Sequence, residues 1–221
     1  YDIYISDYEH LGVYACRIIV PGLSDIYPIE DLQWSNNNEG ALYREAILSL
    51  RDLSQEQWED IAEALEDEQY QDMQKVAEFI GIAPDAGTLW ANLQLGELKA
   101  MLFLASKEYE SALEWTNWCL YIGQLDEERR LHYKCLHALL EIVLDNGKDL
   151  GEYASSLELM YGKERVEICS RIIKGDEIFY GLNSPGLSLE GFKRHNKLLE
   201  GYKKLHKAKK EHWKKKDKKH G

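Results

Sequence analysis

The apolar positions of this chain follow two different rules, one at its head and another along the rest. Residues 2 to 6, "DIYIS", are rich in β-formers, and the run "VYACRIIV" from Val13 to Val20 alternates loosely before becoming continuously apolar. Pro21 and Gly22 stop it. That pattern predicts a strand covered on both faces rather than a solvent-facing hairpin. Two strands alone are marginal in water, so they call for a larger sheet or a helical layer beneath them.

From about Asn38 the period lengthens to that of a helix. "GALYREAILSL" places Leu42, Ala46, Ile47 and Leu50 on one helical face. Ser54, with Gln57 three residues later, forms a capping box that leads into Trp58, Ile61 and Leu65. "DMQKVAEFIG" offers Met73, Val76, Ala77 and Ile80, with Gly81 as the stop. A long apolar helix is predicted from Thr88 to about Ser106, and "EYESALEWTNWCLYIG" follows after a very short break, ending at Gly123. Asp126 is a candidate cap for the next helix, whose Leu136, Leu139, Leu140 and Val143 run on to Asn146 and Gly147. Two shorter helices close at Gly162 and Gly175, and a basic helix spans about Leu189 to Lys216.

Loops of only a few residues force successive helices to be antiparallel neighbours. Around "ASKEYESALEW", Ala100, Tyr109, Ala112 and Cys119 occupy positions of one degenerate tetratricopeptide (TPR) unit, without a clear second copy. The expected fold class is mainly α: a TPR-like antiparallel helical array, preceded by one or two β-strands left over from an upstream α/β domain. The expected divisions are 1–32, the incomplete end of that upstream domain; 33–192, the helical domain; and 193–221, a basic helix and tail.

Composition alters this picture in two places. The net charge of −12 conceals a split: from Lys193 onward there are 13 Lys/Arg against 3 Asp/Glu. The first 192 residues therefore carry −22, and a basic arm or a nucleic-acid tail is implied. Cys16, Cys119, Cys135 and Cys169 are widely spaced among apolar neighbours, the pattern of buried free thiols. No apolar run reaches the roughly 18 residues of a membrane span, and the head lacks the basic and apolar regions of a signal peptide. A soluble cytoplasmic protein is expected.

Motifs for chemistry are missing. Gly147-Lys148 lacks the first glycine of a P-loop, because Ile142 stands in its place. There is no G-x-G-x-x-G, no G-x-S-x-G and no H-E-x-x-H. His132 and His137 lie five apart, on different faces of a helix, where they do not share a metal. Glu63, Glu66, Asp67 and Glu68 read as a solvated helix end, and Trp115 and Trp118 as core. No catalytic, cofactor-binding or metal-ligating residue is assigned. In the tail, Leu198, Tyr202 and Leu205 form a narrow apolar stripe that predicts docking of the first half on the body. The lysines from Lys203 to Lys219 read first as a solvated helix end that keeps the protein soluble, and second as a weak phosphate contact with a ribosome or nucleic acid, without base readout.

Three stretches carry a resemblance. "HLGVYACRIIVPGLSDIYPIEDL", "GELKAM" from Gly96 to Met101 and "FYGL" from Phe179 to Leu182 resemble the YcaO family, in the enterobacterial-type branch with an all-helical C-terminal extension. In that branch the catalytic domain ends on such a strand and an R-x-x-V-P-G turn, matched by Arg17, Val20, Pro21 and Gly22. The similarity runs from Tyr1 to about Trp213. It implies ATP- and Mg²⁺-dependent activation of peptide amide carbonyls by the upstream domain, whose carboxylates are not in this sequence. For this branch it implies an accessory role to the radical enzyme RimO in β-methylthiolation of an aspartate in a small-subunit ribosomal protein. The Pro-x-Pro-x-Pro ending of cyclising relatives is missing, because this chain ends in lysines.

The expectation is a C-terminal fragment of such a factor, inert by itself, whose helices serve protein contact or homodimerisation. Two alternatives are a free-standing helical adaptor and a ribosome- or RNA-binding module using the tail.

Overall fold

The computed structural model describes residues 4–7, 16–19, 39–68 and 70–217, with side chains for Ile18, 40–68 and 70–208. Val13, Val20, Pro21, Gly22 and the side chains of Cys16, Arg17 and Trp213 lie outside these residues. Two compact units divide at Glu39 and Gly40. In the first, β1 (Tyr4–Asp7) pairs antiparallel with β2 (Cys16–Ile19), in the register Tyr4 to Ile19 and Asp7 to Cys16.

The second unit holds nine α-helices among the described residues. These are α1 (Arg44–Leu48), α2 (Gln55–Asp67), α3 (Val76–Phe79), α4 (Leu95–Ser106), α5 (Tyr109–Tyr121), α6 (Glu127–Leu144), α7 (Leu150–Tyr161), α8 (Lys163–Lys174) and α9 (Lys193–Asp217). The predicted caps form. Ser54 accepts from the Gln57 amide while the Gln57 side chain accepts from the Ser54 amide, closing the capping box at the head of α2. Asp126 accepts from the Arg129 amide at the head of α6. Gly162 and Gly175 end α7 and α8 at positive φ, which their lack of a Cβ permits.

α4 is the centre of the unit. It packs against α2, α5 and α8, and eleven of its twelve residues are buried. Only two residues, Lys107 and Glu108, join it to α5, so the pair is an antiparallel hairpin. Ala100, Ala112 and Cys119 are fully buried, and the Tyr109 hydroxyl donates to the Ile173 carbonyl at 2.7 Å.

Several predicted helices are shorter than their periodicity implies. The Thr88–Ser106 span is broken: a 3-10 turn covers Leu89–Ala91, and α4 begins only at Leu95. A backbone bridge between Lys75 and Gln94 is responsible, because the Val76 and Leu95 amides donate across it to Leu93 and Gln74. The same bridge keeps Met73 out of α3 and exposed, and Phe79 joins Val76, Ala77 and Ile80 in the core. Leu42 is also not on a buried face: it is 89% exposed, in a 3-10 turn, and Tyr43 instead stacks on Phe79. Val143 is exposed as well.

The largest departure is α9. It begins at Lys193, after a buried Leu189 at φ +60. Its first amides, Lys193 and Arg194, donate to the Asp85 carboxylate, and His195 Nδ1 accepts from the Ala83 amide at 3.1 Å. Beyond that anchor the predicted docking does not occur, and Leu198, Tyr202 and Leu205 are 58%, 68% and 54% exposed. Burial predicted from an apolar stripe needs an opposing surface, and the polar anchor at Asp85 sets the direction of the helix instead.

Candidate functional site

A cleft of about 520 Å³ lies between α4, α6 and α8, closed at one side by residues 177–181. Its volume falls within the range of ligand-binding clefts, roughly 300–1,000 Å³. Leu104, Leu136, Ile168 and Ile172 supply apolar walls, and Tyr133 is buried at one side. Glu128, Lys163, Glu164 and Tyr180 line it from exposed positions.

The polar wall rests on a buried ion pair. Glu97, one residue beyond Gly96 in α4, is 1% exposed and receives both the Nε and the Nη2 of Arg129 on α6. Burial raises the Glu97 carboxyl above its ordinary range, while Arg129 and a hydrogen bond from Tyr133 act against that rise. Burial and the neighbouring Glu97 also push the Tyr133 phenol up. Lys99 on the same helix is buried in turn. Its Nζ lies 2.8 Å from Asp72 and 4.3 Å from the centre of the Trp115 ring, a salt bridge backed by a cation–π contact. Gly96 is required at this crossing, because a Cβ there would stand 2.6 Å from the Trp118 ring. "GELKAM" thus encodes one helix crossing with its buried charges.

Phe179, Tyr180 and Gly181 of "FYGL" also line the cleft. Phe179 is buried at φ +52, and Arg51 Nη2 donates to the carbonyls of Phe179 and Leu182 at 3.0 and 3.2 Å. Trp58 meets the Phe179 ring edge-on. A non-glycine residue at positive φ costs energy, and here the Arg51 clamp and ring packing hold it. The result presents Tyr180 to His132, with ring centres 5.3 Å apart and near-parallel planes.

His132 also lies 3.7 Å from Cys169 Sγ through Nδ1. Burial, with help from Arg165, lowers its pKa to about 4. The unfolded chain takes up this proton near pH 6.5 and the folded chain only near pH 4, so the unfolded state binds more protons between these values. Stability is therefore expected to fall by roughly 2–3 kcal/mol as pH drops across that window. Urea titrations of the wild type and His132→Gln at pH 7 and 4.5 test this: the variant should lose less stability on acidification.

The two histidines remain apart, as their spacing predicts: His137 faces Glu141 at 3.7 Å while His132 packs. Among the described residues no group of three or more His, Cys, Asp or Glu could hold a metal ion. Glu63, Glu66, Asp67 and Glu68 are exposed, with Glu66 accepting from the Trp115 indole and Glu68 from Tyr43 and Tyr70. Trp115 and Trp118 pack against the core. Cys119, Cys135 and Cys169 are buried free thiols. A hydrogen bond between Cys135 and Cys169 pushes the Cys169 thiol up, with burial adding to the effect. The cleft residues themselves were not legible as a site, because Glu97, Arg129, Arg165 and Tyr180 are far apart in sequence and belong to no spacing motif.

The described residues thus form a helical domain with a polar-walled cleft, and among them no helix is long and apolar enough to cross a membrane. Residues 40–211 match the family model of the YcaO cyclodehydratase C-terminal domain, and the chain belongs to that family. It is 42% identical over 216 residues to the Escherichia coli ribosomal protein S12 methylthiotransferase accessory factor YcaO, covering 96% of this chain and 37% of that protein. An uncharacterized protein of Haemophilus influenzae is 42% identical over 218 residues, with the same coverage. The chain therefore spans just over a third of the length of these curated relatives.

Proposed function

We propose that this chain is the C-terminal part of a cytoplasmic YcaO-type accessory factor that assists RimO-dependent β-methylthiolation of a small-subunit ribosomal protein. In this reading its helices are a protein-contact module of TPR-like type. The strands β1 and β2 are the closing edge of the ATP- and Mg²⁺-binding domain, and the chemistry belongs to that domain. The observation that carries the reading is the match to the relative named as an S12 methylthiotransferase accessory factor, over 96% of this chain. Two features support a contact role: an apolar-walled cleft of about 520 Å³, and the exposed stripe of Leu198, Tyr202 and Leu205 on α9.

The test is a pair of measurements on the purified chain. Tagged chain should retain the methylthiotransferase on an affinity column, and calorimetric titration with MgATP should give no heat of binding. Tight MgATP binding, or a column that retains no methylthiotransferase, would contradict the reading.

A further inference from the structure

The cleft has a charge arrangement that selects its occupant. Each of its cations is already matched by a carboxylate of the chain: Arg129 by Glu97, Arg165 by Glu128 at 2.5 Å and Lys163 by Glu167 at 3.9 Å. Arg165 also donates to the Tyr161 carbonyl at 2.7 Å. Glu164, exposed at the mouth, has no ion pair among the described residues. Glu97, Glu128, Glu164 and Glu177, the last paired with Arg171, line the cleft against Arg129, Lys163 and Arg165. The surrounding chain amplifies this sign, since residues 40–192 hold 29 Asp/Glu and 13 Lys/Arg. An anion entering here would have to displace Glu97 or Glu128 from its arginine, or share the exposed Lys163 with Glu167, and would meet an acidic field. A cation meets Glu164 without displacing anything.

The interior asks for something different. Its walls of Leu104, Leu136, Ile168 and Ile172, with the Tyr180 ring at the mouth, favour a large apolar group removed from water. An occupant must therefore combine an apolar anchor with flanking positive charge, a combination that polypeptides carry and nucleic acids do not.

We propose that the cleft between α4, α6 and α8 docks a basic polypeptide segment, which inserts one large apolar side chain while its flanking lysines or arginines lie over Glu164. This deepens the protein-contact reading and rests on it.

The probe is a fluorescein-labelled peptide, Lys-Lys-Gly-Trp-Gly-Lys-Lys, titrated by anisotropy into the full 221-residue chain. Saturable binding is expected. Replacing its Trp by Ala, or its lysines by glutamates, should each weaken binding by about tenfold or more. On the protein side, Ala105→Phe fills the cleft and should abolish binding. Glu164→Lys, a surface change that leaves the core intact, should weaken it by about threefold to tenfold. Leu42→Glu, at an 89% exposed position outside the cleft lining, should leave it unchanged. Melting curves show whether each variant is folded, and Glu164→Lys decides the matter if Ala105→Phe is not.

Three results would overturn the proposal. One is the absence of saturable binding, and another is a folded Glu164→Lys protein that binds as well as the wild type. The third is equal binding of the glutamate peptide, which would show a cleft indifferent to positive charge. If peptide binding fails while the affinity column still retains the methylthiotransferase, only the cleft proposal falls. If the column fails while the peptide binds, the accessory-factor reading falls.

Discussion

Replacing Arg129 by methionine should destabilise the helical unit by about 3–5 kcal/mol, the largest loss expected of any single substitution at the cleft. The size follows from what is left behind. Glu97 is 1% exposed, and Arg129 provides its two charge-assisted hydrogen bonds, so the variant strands a buried carboxylate. That carboxylate would hold a proton to a higher pH than it does beside Arg129. A group whose folded pKa is raised contributes stability at low pH and loses it as pH rises through that value, so the deficit should shrink on acidification. Thermal unfolding followed by circular dichroism at pH 5 and pH 8 reads both effects. The double variant Glu97→Gln/Arg129→Met should recover a large part of the loss, because the buried charge is gone. A single variant as stable as the wild type would show that Glu97 is not buried as described.

Gly96→Ala should have the second largest effect, and against the usual direction. Within a helix, alanine normally stabilises relative to glycine by about 1 kcal/mol. Here a Cβ would stand 2.6–2.7 Å from three atoms of the Trp118 ring, well inside contact distance. Overpacking of this kind costs about 1–3 kcal/mol, so a net loss is expected. Gly201→Ala in α9, where nothing lies within 4 Å, is the control and should be neutral or mildly stabilising. Trp118→Leu should partly rescue Gly96→Ala by opening the space that the new methyl group needs. A Gly96→Ala protein that melts higher than the wild type would contradict this account of "GELKAM".

The contrast between these residues and the caps shows what a sequence pattern can carry. Ser54 with Gln57, Asp126, Gly162 and Gly175 act within three or four residues of themselves, so their roles follow from local spacing. Glu97 and Lys99 sit in a helix whose surroundings are almost wholly apolar. Their partners, Arg129 and Asp72, lie 32 and 27 residues away. Nothing local announces that such charges are buried and paired rather than at the surface. The Lys75–Gln94 bridge is equally non-local, and it cut two predicted helices short. The stripe on α9 failed in a different way. Its positions share one helical face, but a stripe does not say what lies opposite, and among the described residues this one is exposed. Only the resemblance singled out "GELKAM" and "FYGL"; in the structure the first is a helix crossing with buried charges, and Glu97, Met101 and Phe179 to Gly181 line one cleft.

The most direct test of the central claim is a competition inside cells that carry a full-length accessory factor. If the helical unit is a contact module without chemistry of its own, an excess of this chain should occupy the partner and displace the complete protein. Mass spectrometry of the target ribosomal protein in Escherichia coli cells overproducing the chain reads this as the methylthiolated fraction. The account predicts a fall of several-fold, weakened when the chain carries Ala105→Phe. An unchanged methylthiolated fraction, with the chain abundant and folded, would contradict it.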